Sequence, residues 1–155
     1  MLEIISTIYI MRFNKQLYDK HDKIGKDTAF SLLSQLGYTL KDDKEAYGSH
    51  DFIIERNNKE IKVEVEQKTG WKTIDFPFQT HDVPYRKRTS NAELFIQINN
   101  TGNSLAMCNM NQVKTSKVIT KNTIYTNNEM FFAVPISNMR YFNKEIDGWY
   151  ELTCD

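Results

Sequence analysis

The chain has 155 residues, 40% of them hydrophobic and 12% aromatic, which suits one compact domain over 1–155 and excludes a disordered tail. Lys and Arg total 20, as do Asp and Glu, so the formal net charge is zero, which argues against a protein that only binds nucleic acid. The two cysteines, Cys108 and Cys154, lack metal-ligand spacing and are typical of the reducing cytoplasm. No apolar run reaches the ~20 residues of a membrane helix, so we expect no membrane association.

Residues 1–12 are interpreted as a possible N-terminal extension. The run Leu2 to Met11 is apolar but contains Glu3, and it lacks the basic start and the cleavage site of a signal peptide. An edge strand and an oligomer contact are the alternatives for this run.

The pattern from Phe13 to Leu36 predicts a helix in two pieces, with a break near Gly25. Its apolar residues at helical spacing are Ala29, Leu32, Leu33 and Leu36. Gly37 follows as a stop signal, and Tyr38 to Leu40 is predicted to be a short strand.

The next segment predicts a β-hairpin, because Asp51 to Arg56 and Ile61 to Thr69 flank an Asn-rich turn. On the second strand, one face carries Ile61, Val63, Val65 and Gln67, and the other carries Lys62, Glu64, Glu66 and Lys68. A turn at Asn57-Asn58 places Asp51 opposite Glu64, whereas a turn at Asn58-Lys59 places it opposite Glu66. Both registers put Asp51 on the face of Glu66 and Lys68.

Residues 70–90 are predicted to form a long irregular loop with one helical turn. The later predicted elements are strands at Glu93 to Asn99, Ser104 to Met110, Lys117 to Tyr125 and Met130 to Val134, and a short helix from Ser137 to Phe142. This order predicts an α/β or α+β fold with a mixed central sheet, in which 111–155 supplies C-terminal strands and the short helix.

The charged face of the hairpin predicts a metal site. Carboxylates on opposite or diagonal strand positions lie ~4.5 to 8 Å apart at Cβ, so Asp51 and Glu66 can share one divalent cation. Mg²⁺ prefers one or two carboxylates together with water and phosphate, and Mn²⁺ is expected to substitute for it. Lys68 projects beside the same position, where an ammonium can orient attacking water and stabilise charge on a phosphate.

Asp51, preceded by His50 and followed fifteen residues later by Glu66-Gln67-Lys68, resembles the signature of the PD-(D/E)xK nuclease superfamily. This group includes restriction endonucleases, Holliday-junction resolvases and phage nucleases. The resemblance covers 23–110, within an expected nuclease core of 13–110, and it implies a restriction-endonuclease-like mixed sheet flanked by helices. His50 stands where the name-giving pattern has proline.

The resemblance implies a Mg²⁺-dependent DNA endonuclease, structure-specific or site-specific, with Asp51 and Glu66 as metal ligands and Lys68 as a catalytic group. Relatives often carry an acid on the preceding helix, a place that Asp27 matches and Asp22 matches less well. A first-turn helix acid is the alternative role for Asp27.

Five residues downstream of the motif are candidates for DNA contact, through phosphate neutralisation or stacking: Trp71, Lys72, Arg86, Lys87 and Arg88. Trp71 could instead fill the core. Three histidines, His21, His50 and His81, are expected to be polar surface residues, and a role as proton carriers is the alternative. Gln97 lies out of phase with its apolar neighbours, which predicts a surface position or, alternatively, a place at the site.

Symmetric cleavage of a duplex or junction needs two sites, so a homodimer is the simplest arrangement. The Asn- and Lys-rich composition and small size suit a phage protein acting in the host cytoplasm. Two other classes stay open: a non-catalytic nucleic-acid-binding module of the same fold, and a structural or assembly protein that uses the apolar N-terminus for contacts. The binding module predicts no metal site that depends on Asp51, and the assembly protein predicts neither metal nor DNA binding.

Overall fold

The computed structural model describes residues 23–46 and 49–153. Within this range helix α1 covers 23–35 and continues through Gly25, so the predicted break there is wrong. The expected helix over 13–22 and the extension 1–12 lie outside the described residues. Gly37 follows the end of the helix as the predicted stop residue, with a φ of +93°, and the Tyr38 N–H donates to the Leu33 carbonyl over 3.0 Å.

Among the described residues, ten strands follow helix α1. They are β1 (Thr39–Asp42), β2 (Phe52–Arg56), β3 (Lys59–Gln67), β4 (Thr80–Pro84), β5 (Leu94–Ile98), β6 (Ser104–Asn109), β7 (Lys117–Lys121), β8 (Glu129–Pro135), β9 (Arg140–Glu145) and β10 (Gly148–Leu152). A short helix α2 (Met110–Lys114) and two 3₁₀ helices, Tyr85–Thr89 and Ile136–Asn138, lie between them. The fold is therefore mixed α+β, as the order of predicted elements indicated.

The strands form two sheets. The larger has the order β1-β2-β3-β5-β6-β9-β10, and the smaller has the order β4-β8-β7. Strands β3 and β5 run parallel, and every other pairing is antiparallel, so the larger sheet is mixed. Because parallel neighbours need a crossover, the segment between β3 and β5 must leave the sheet and return. It carries β4 and the 3₁₀ helix Tyr85–Thr89.

The β2–β3 hairpin has the first of the two predicted registers. Asn57 and Asn58 have φ of +54° and +62°, which is the conformation of a two-residue hairpin turn, and Arg56 pairs with Lys59. The pairing continues to Phe52 and Val63. In this register the next two positions, Asp51 and Glu64, lie opposite each other.

The two faces of the larger sheet are covered differently. Helix α1 packs on one face, where Leu32, Val63 and Ile96 are fully buried in a single core. The crossover and the smaller sheet pack on the other face, where Trp71, Phe95 and Val134 form part of a second core. Glu64 and Glu66 of β3 lie on this second face, level with Phe95 and Gln97 of β5.

Two predictions beyond the hairpin are wrong in part. The predicted loop over 70–90 has the expected helical turn but also contains β4. The predicted helix from Ser137 to Phe142 is only the 3₁₀ turn Ile136–Asn138, after which β9 pairs with β6. Both missed strands acquire their pairing from partners distant in sequence, which local patterns do not report. Over the described ranges, no helix combines the length and the apolar character needed to cross a membrane.

Candidate active site

Asp51 lies immediately before β2 and is held against β3 by two backbone contacts. Its N–H donates to the Val63 carbonyl over 2.8 Å, and its carboxylate Oδ2 accepts from the Val65 N–H over 2.7 Å. The residue is only 7% exposed. The carboxylate is therefore fixed beside the strand position that precedes Glu66.

The surroundings of Asp51 disfavour its charge. Burial, and then the nearby charge of Glu64, raise the pKa of Asp51 to about 6, whereas the Val65 N–H, Lys87 and Lys26 lower it. Desolvation thus outweighs the cations and the hydrogen bond. A further cation that binds beside such a buried carboxylate stabilises its charged form.

Glu66 is paired with Gln97 through the parallel register of β3 and β5. The Gln97 Nε2 donates to Glu66 Oε1 over 3.0 Å. The other oxygen, Oε2, is buried and accepts no hydrogen bond from any described residue. Burial raises the pKa of Glu66, while Lys87 and Lys68 act against this rise. An unpartnered buried acceptor is costly, so a water or a cation at Oε2 would stabilise the site.

Lys68 follows the last residue of β3, and its N–H donates to the Ile98 carbonyl over 2.7 Å. Its Nζ lies 5.4 Å from the centre of the Phe78 ring, and its charge lowers the pKa of Glu66. The Lys68 ammonium is therefore close enough to Glu66 for the two charges to interact.

Lys87, in the 3₁₀ helix Tyr85–Thr89, is the cation shared by the three carboxylates. It forms an ion pair with Glu64, in which both side chains are mostly buried, and it lowers the pKa of Asp51 and of Glu66. The sequence analysis assigned Lys87 to DNA contact and did not identify its place among the carboxylates. The 3₁₀ helix thus covers one side of the site.

The other basic candidates lie at the surface. Arg86, Arg88 and Lys72 are exposed. The Arg88 guanidinium lies 4.7 Å from the Tyr85 ring centre and donates to the Tyr85 carbonyl over 3.2 Å. These three side chains are accessible to a polyanion near the covered carboxylates.

Trp71 is fully buried, and its Nε1 donates to the Asp75 carbonyl over 3.2 Å. Trp71 fills the second core, so the alternative prediction of a core role is the one that the structure matches. A fully buried ring is not placed to stack on a base. Asp27 is exposed on helix α1, and the residue of that helix that lowers the pKa of Asp51 is Lys26. Asp22 and His21 lie outside the described residues.

The expectation that His50 and His81 are surface residues is wrong. His50 is 8% exposed, and its Nδ1 lies 3.1 Å from Ser49 Oγ. His81 is fully buried, 2.6 Å from Gln97 Oε1 and 2.7 Å from the Tyr141 hydroxyl. Gln97 is also fully buried, so the predicted surface position is wrong. It contacts Glu66, which is the alternative position that the sequence analysis gave. In the sequence, the position of Gln97 between the apolar residues of its strand was the signal for this role. No comparable pattern in the sequence pointed to His81 or Tyr141.

Whether these residues fit a divalent cation depends on how many ligands the protein must supply. In the part of the chain that the structure describes, no group of three or more His, Cys, Asp or Glu side chains is placed to hold an ion. Mg²⁺ retains several waters and commonly takes only one or two carboxylates with substrate phosphate, so a site with fewer than three protein ligands is compatible with this mode of binding. The unpartnered Oε2 of Glu66 is the atom that such an ion would satisfy.

Comparison of the chain with protein-family models, with curated proteins and with solved structures gave no match.

Proposed function

We propose that this chain is a Mg²⁺-dependent endonuclease that hydrolyses DNA phosphodiester bonds in the manner of the PD-(D/E)xK superfamily, with Mn²⁺ able to replace Mg²⁺. The observation that carries the proposal is that Lys87 interacts with two buried carboxylates, those of Asp51 and Glu66. Both carboxyl groups have a raised pKa, and Glu66 retains a buried oxygen without a partner in the described structure. Such a pair is stabilised by a hard cation.

Each residue has a role that follows from its position. Asp51 and Glu66 would hold the ion, because the Val65 N–H and the Gln97 amide fix their carboxylates. The bound ion would supply Lewis acidity toward the phosphate and toward water. The Lys68 ammonium, whose charge acts on Glu66, would orient the attacking water and stabilise the negative charge that develops on the phosphate oxygens.

The proposed approach of DNA follows the exposed cations. Arg86 and Arg88 flank Lys87 on the 3₁₀ helix, and Lys72 lies earlier in the same crossover. These side chains can neutralise phosphates next to the scissile one, and their contribution to binding should weaken as salt concentration rises. A homodimer would bring two such sites to the two strands of a duplex or junction.

The test is incubation with supercoiled plasmid, linear duplex, single strand and four-way junction, each with Mg²⁺ and with chelator. We expect metal-dependent cleavage by the wild type, and its loss in Lys68→Ala with the circular dichroism spectrum retained. Lys62→Ala, on the same face of β3, is the matched control and should cleave normally. Wild-type cleavage rates in Asp51→Asn or Glu66→Gln protein would refute the assignment.

A specific contact favours the second candidate, a nucleic-acid-binding module without turnover. The Lys87–Glu64 ion pair already supplies a cation to the carboxylates, so part of their charge is compensated without metal. Calorimetric titration with Mn²⁺ separates the candidates. The nuclease binds metal in a way that Asp51→Asn removes, whereas the module binds DNA but no metal, and an assembly protein binds neither.

A further inference from the structure

A continuous chain of buried and partly buried hydrogen bonds ends on Glu66. The Gln97 Nε2 lies 3.0 Å from Glu66 Oε1, and the Gln97 Oε1 lies 2.6 Å from His81 Nδ1. The His81 Nε2 then lies 2.7 Å from the Tyr141 hydroxyl. The four residues come from β3, β5, β4 and β9, so the chain links the two sheets. Both Gln97 and His81 are fully buried.

The chemistry of the groups fixes the direction of these bonds. A carboxylate oxygen only accepts, so Gln97 presents its amide N–H to Glu66 and its carbonyl oxygen to His81. The His81 Nδ1 must then carry the proton, and its Nε2 must accept from the Tyr141 O–H. Burial lowers the pKa of His81 to about 4, which keeps the ring neutral and suits this tautomer. Tyr141, His81 and Gln97 therefore each donate to the next group, and Glu66 is the final acceptor.

The chain is also held by packing. The His81 ring is stacked on Phe76 with centres 3.6 Å apart and planes 13° apart, and it meets the Trp71 ring edge-on at 6.0 Å. A ring held on two sides keeps Nδ1 aimed at Gln97. The Gln97 amide therefore keeps Oε1 of Glu66 in one place, and Oε2 is left as the unpartnered atom.

We propose that the Tyr141–His81–Gln97 chain is a positioning device that sets the orientation of the Glu66 carboxylate toward a divalent cation, an inference that rests on the proposed function. Gln97, His81 and Tyr141 are positioning residues, because each acts through the next and none reaches the candidate reacting atoms. Partners of this kind are worth about tenfold to a hundredfold in metal affinity.

The test is calorimetric titration of the full chain with Mn²⁺, since this readout does not depend on cleavage. Gln97→Met removes the amide that touches Glu66 and should weaken Mn²⁺ binding about tenfold to a hundredfold. His81→Leu and Tyr141→Phe should weaken it in the same direction, by successively smaller factors. His81→Asn retains a donor near the Nδ1 position and should recover affinity relative to His81→Leu. Tyr150→Phe is the control, because its hydroxyl bonds Asp147 away from the site.

A second measurement examines the chain without metal. Two-bond ¹H–¹⁵N correlation spectra of the wild type should show His81 protonated on Nδ1, and protonation on Nε2 would overturn the directional chain. If His81→Leu does not fold, Tyr141→Phe carries the test, because it removes a single oxygen atom. Unchanged Mn²⁺ affinity in both Gln97→Met and Tyr141→Phe, with a wild type that binds, would overturn the inference alone. Absence of Mn²⁺ binding by the wild type would overturn the proposed function and the inference with it.

Discussion

Replacing Asp51 by Asn should change how stability depends on pH in the metal-free protein. Burial and Glu64 raise the pKa of Asp51 from 3.8 to about 6 in the folded state. The group therefore contributes stability that is fully present below about pH 4 and is lost as pH rises through 6. At 1.36 kcal/mol per pH unit, the difference between the two pKa values corresponds to about 3 kcal/mol.

In the Asp51→Asn variant this loss is absent, because Asn stays neutral and its Oδ1 can still accept from the Val65 N–H. The variant should match the wild type near pH 4 and exceed it by up to about 3 kcal/mol at pH 7.5 with chelator present. His81 has the opposite effect, since its pKa is lowered to about 4 and its contribution is lost as pH falls below 6.5. His81 is present in both proteins, so the difference between them isolates Asp51.

The assay is urea denaturation of both proteins from pH 4 to pH 8, first with chelator and then with Mg²⁺. Asp43→Asn, at an exposed carboxyl, is the matched control for the loss of one acidic group. Mg²⁺ at a hundred times its Kd should stabilise the wild type at pH 7.5 by about 2.7 kcal/mol, and it should stabilise Asp51→Asn much less. A difference between variant and wild type that stays flat with pH, or that favours the wild type at pH 7.5, would refute the reasoning.

Three further substitutions test the surroundings of the site by chemical denaturation at neutral pH. Trp71→Ala leaves a cavity in the second core and should lower the free energy of unfolding by ~3 to 5 kcal/mol; a loss below 1 kcal/mol would contradict its burial. Lys87→Met leaves Glu64 without its cation and should cost on the order of 2 kcal/mol, less than a fully buried pair. Gly37→Ala should cost about 1 kcal/mol for the positive φ alone, because a Cβ there meets Arg56 at an ordinary 3.6 Å.

The hairpin could be predicted from the sequence because its determinants are local. Asn57 and Asn58 tolerate positive φ, and the alternation of β3 assigns each side chain to a face. Two registers were compatible with this pattern, and the turn conformation selects the one that pairs Arg56 with Lys59. The placement of Asp51 beside Glu64 follows from that selection.

The rest of the candidate site could not be predicted, because it depends on contacts distant in sequence. Gln97 reaches Glu66 only because β5 lies parallel to β3, a pairing that neither strand reports by itself. From the sequence alone, His81 is a polar residue in a predicted loop. In the structure β4 pairs with β8, and this pairing places the His81 side chain in the interior. A basic run such as the one around Lys87 is usually solvated, and here packing of the crossover brings one member onto the carboxylates.

The topology explains why fold and candidate site share one origin. Parallel β3 and β5 need a crossover, and in this fold the crossover covers the face of the sheet that carries Glu64 and Glu66. A purely apolar cover would leave those carboxylates buried without compensation, which is costly. The crossover instead supplies Lys87 to Glu64 and, through His81 and Gln97, a donor to one oxygen of Glu66. It supplies nothing to Oε2 of Glu66 among the described residues, and that remaining deficit is the physical reason to expect a cation there.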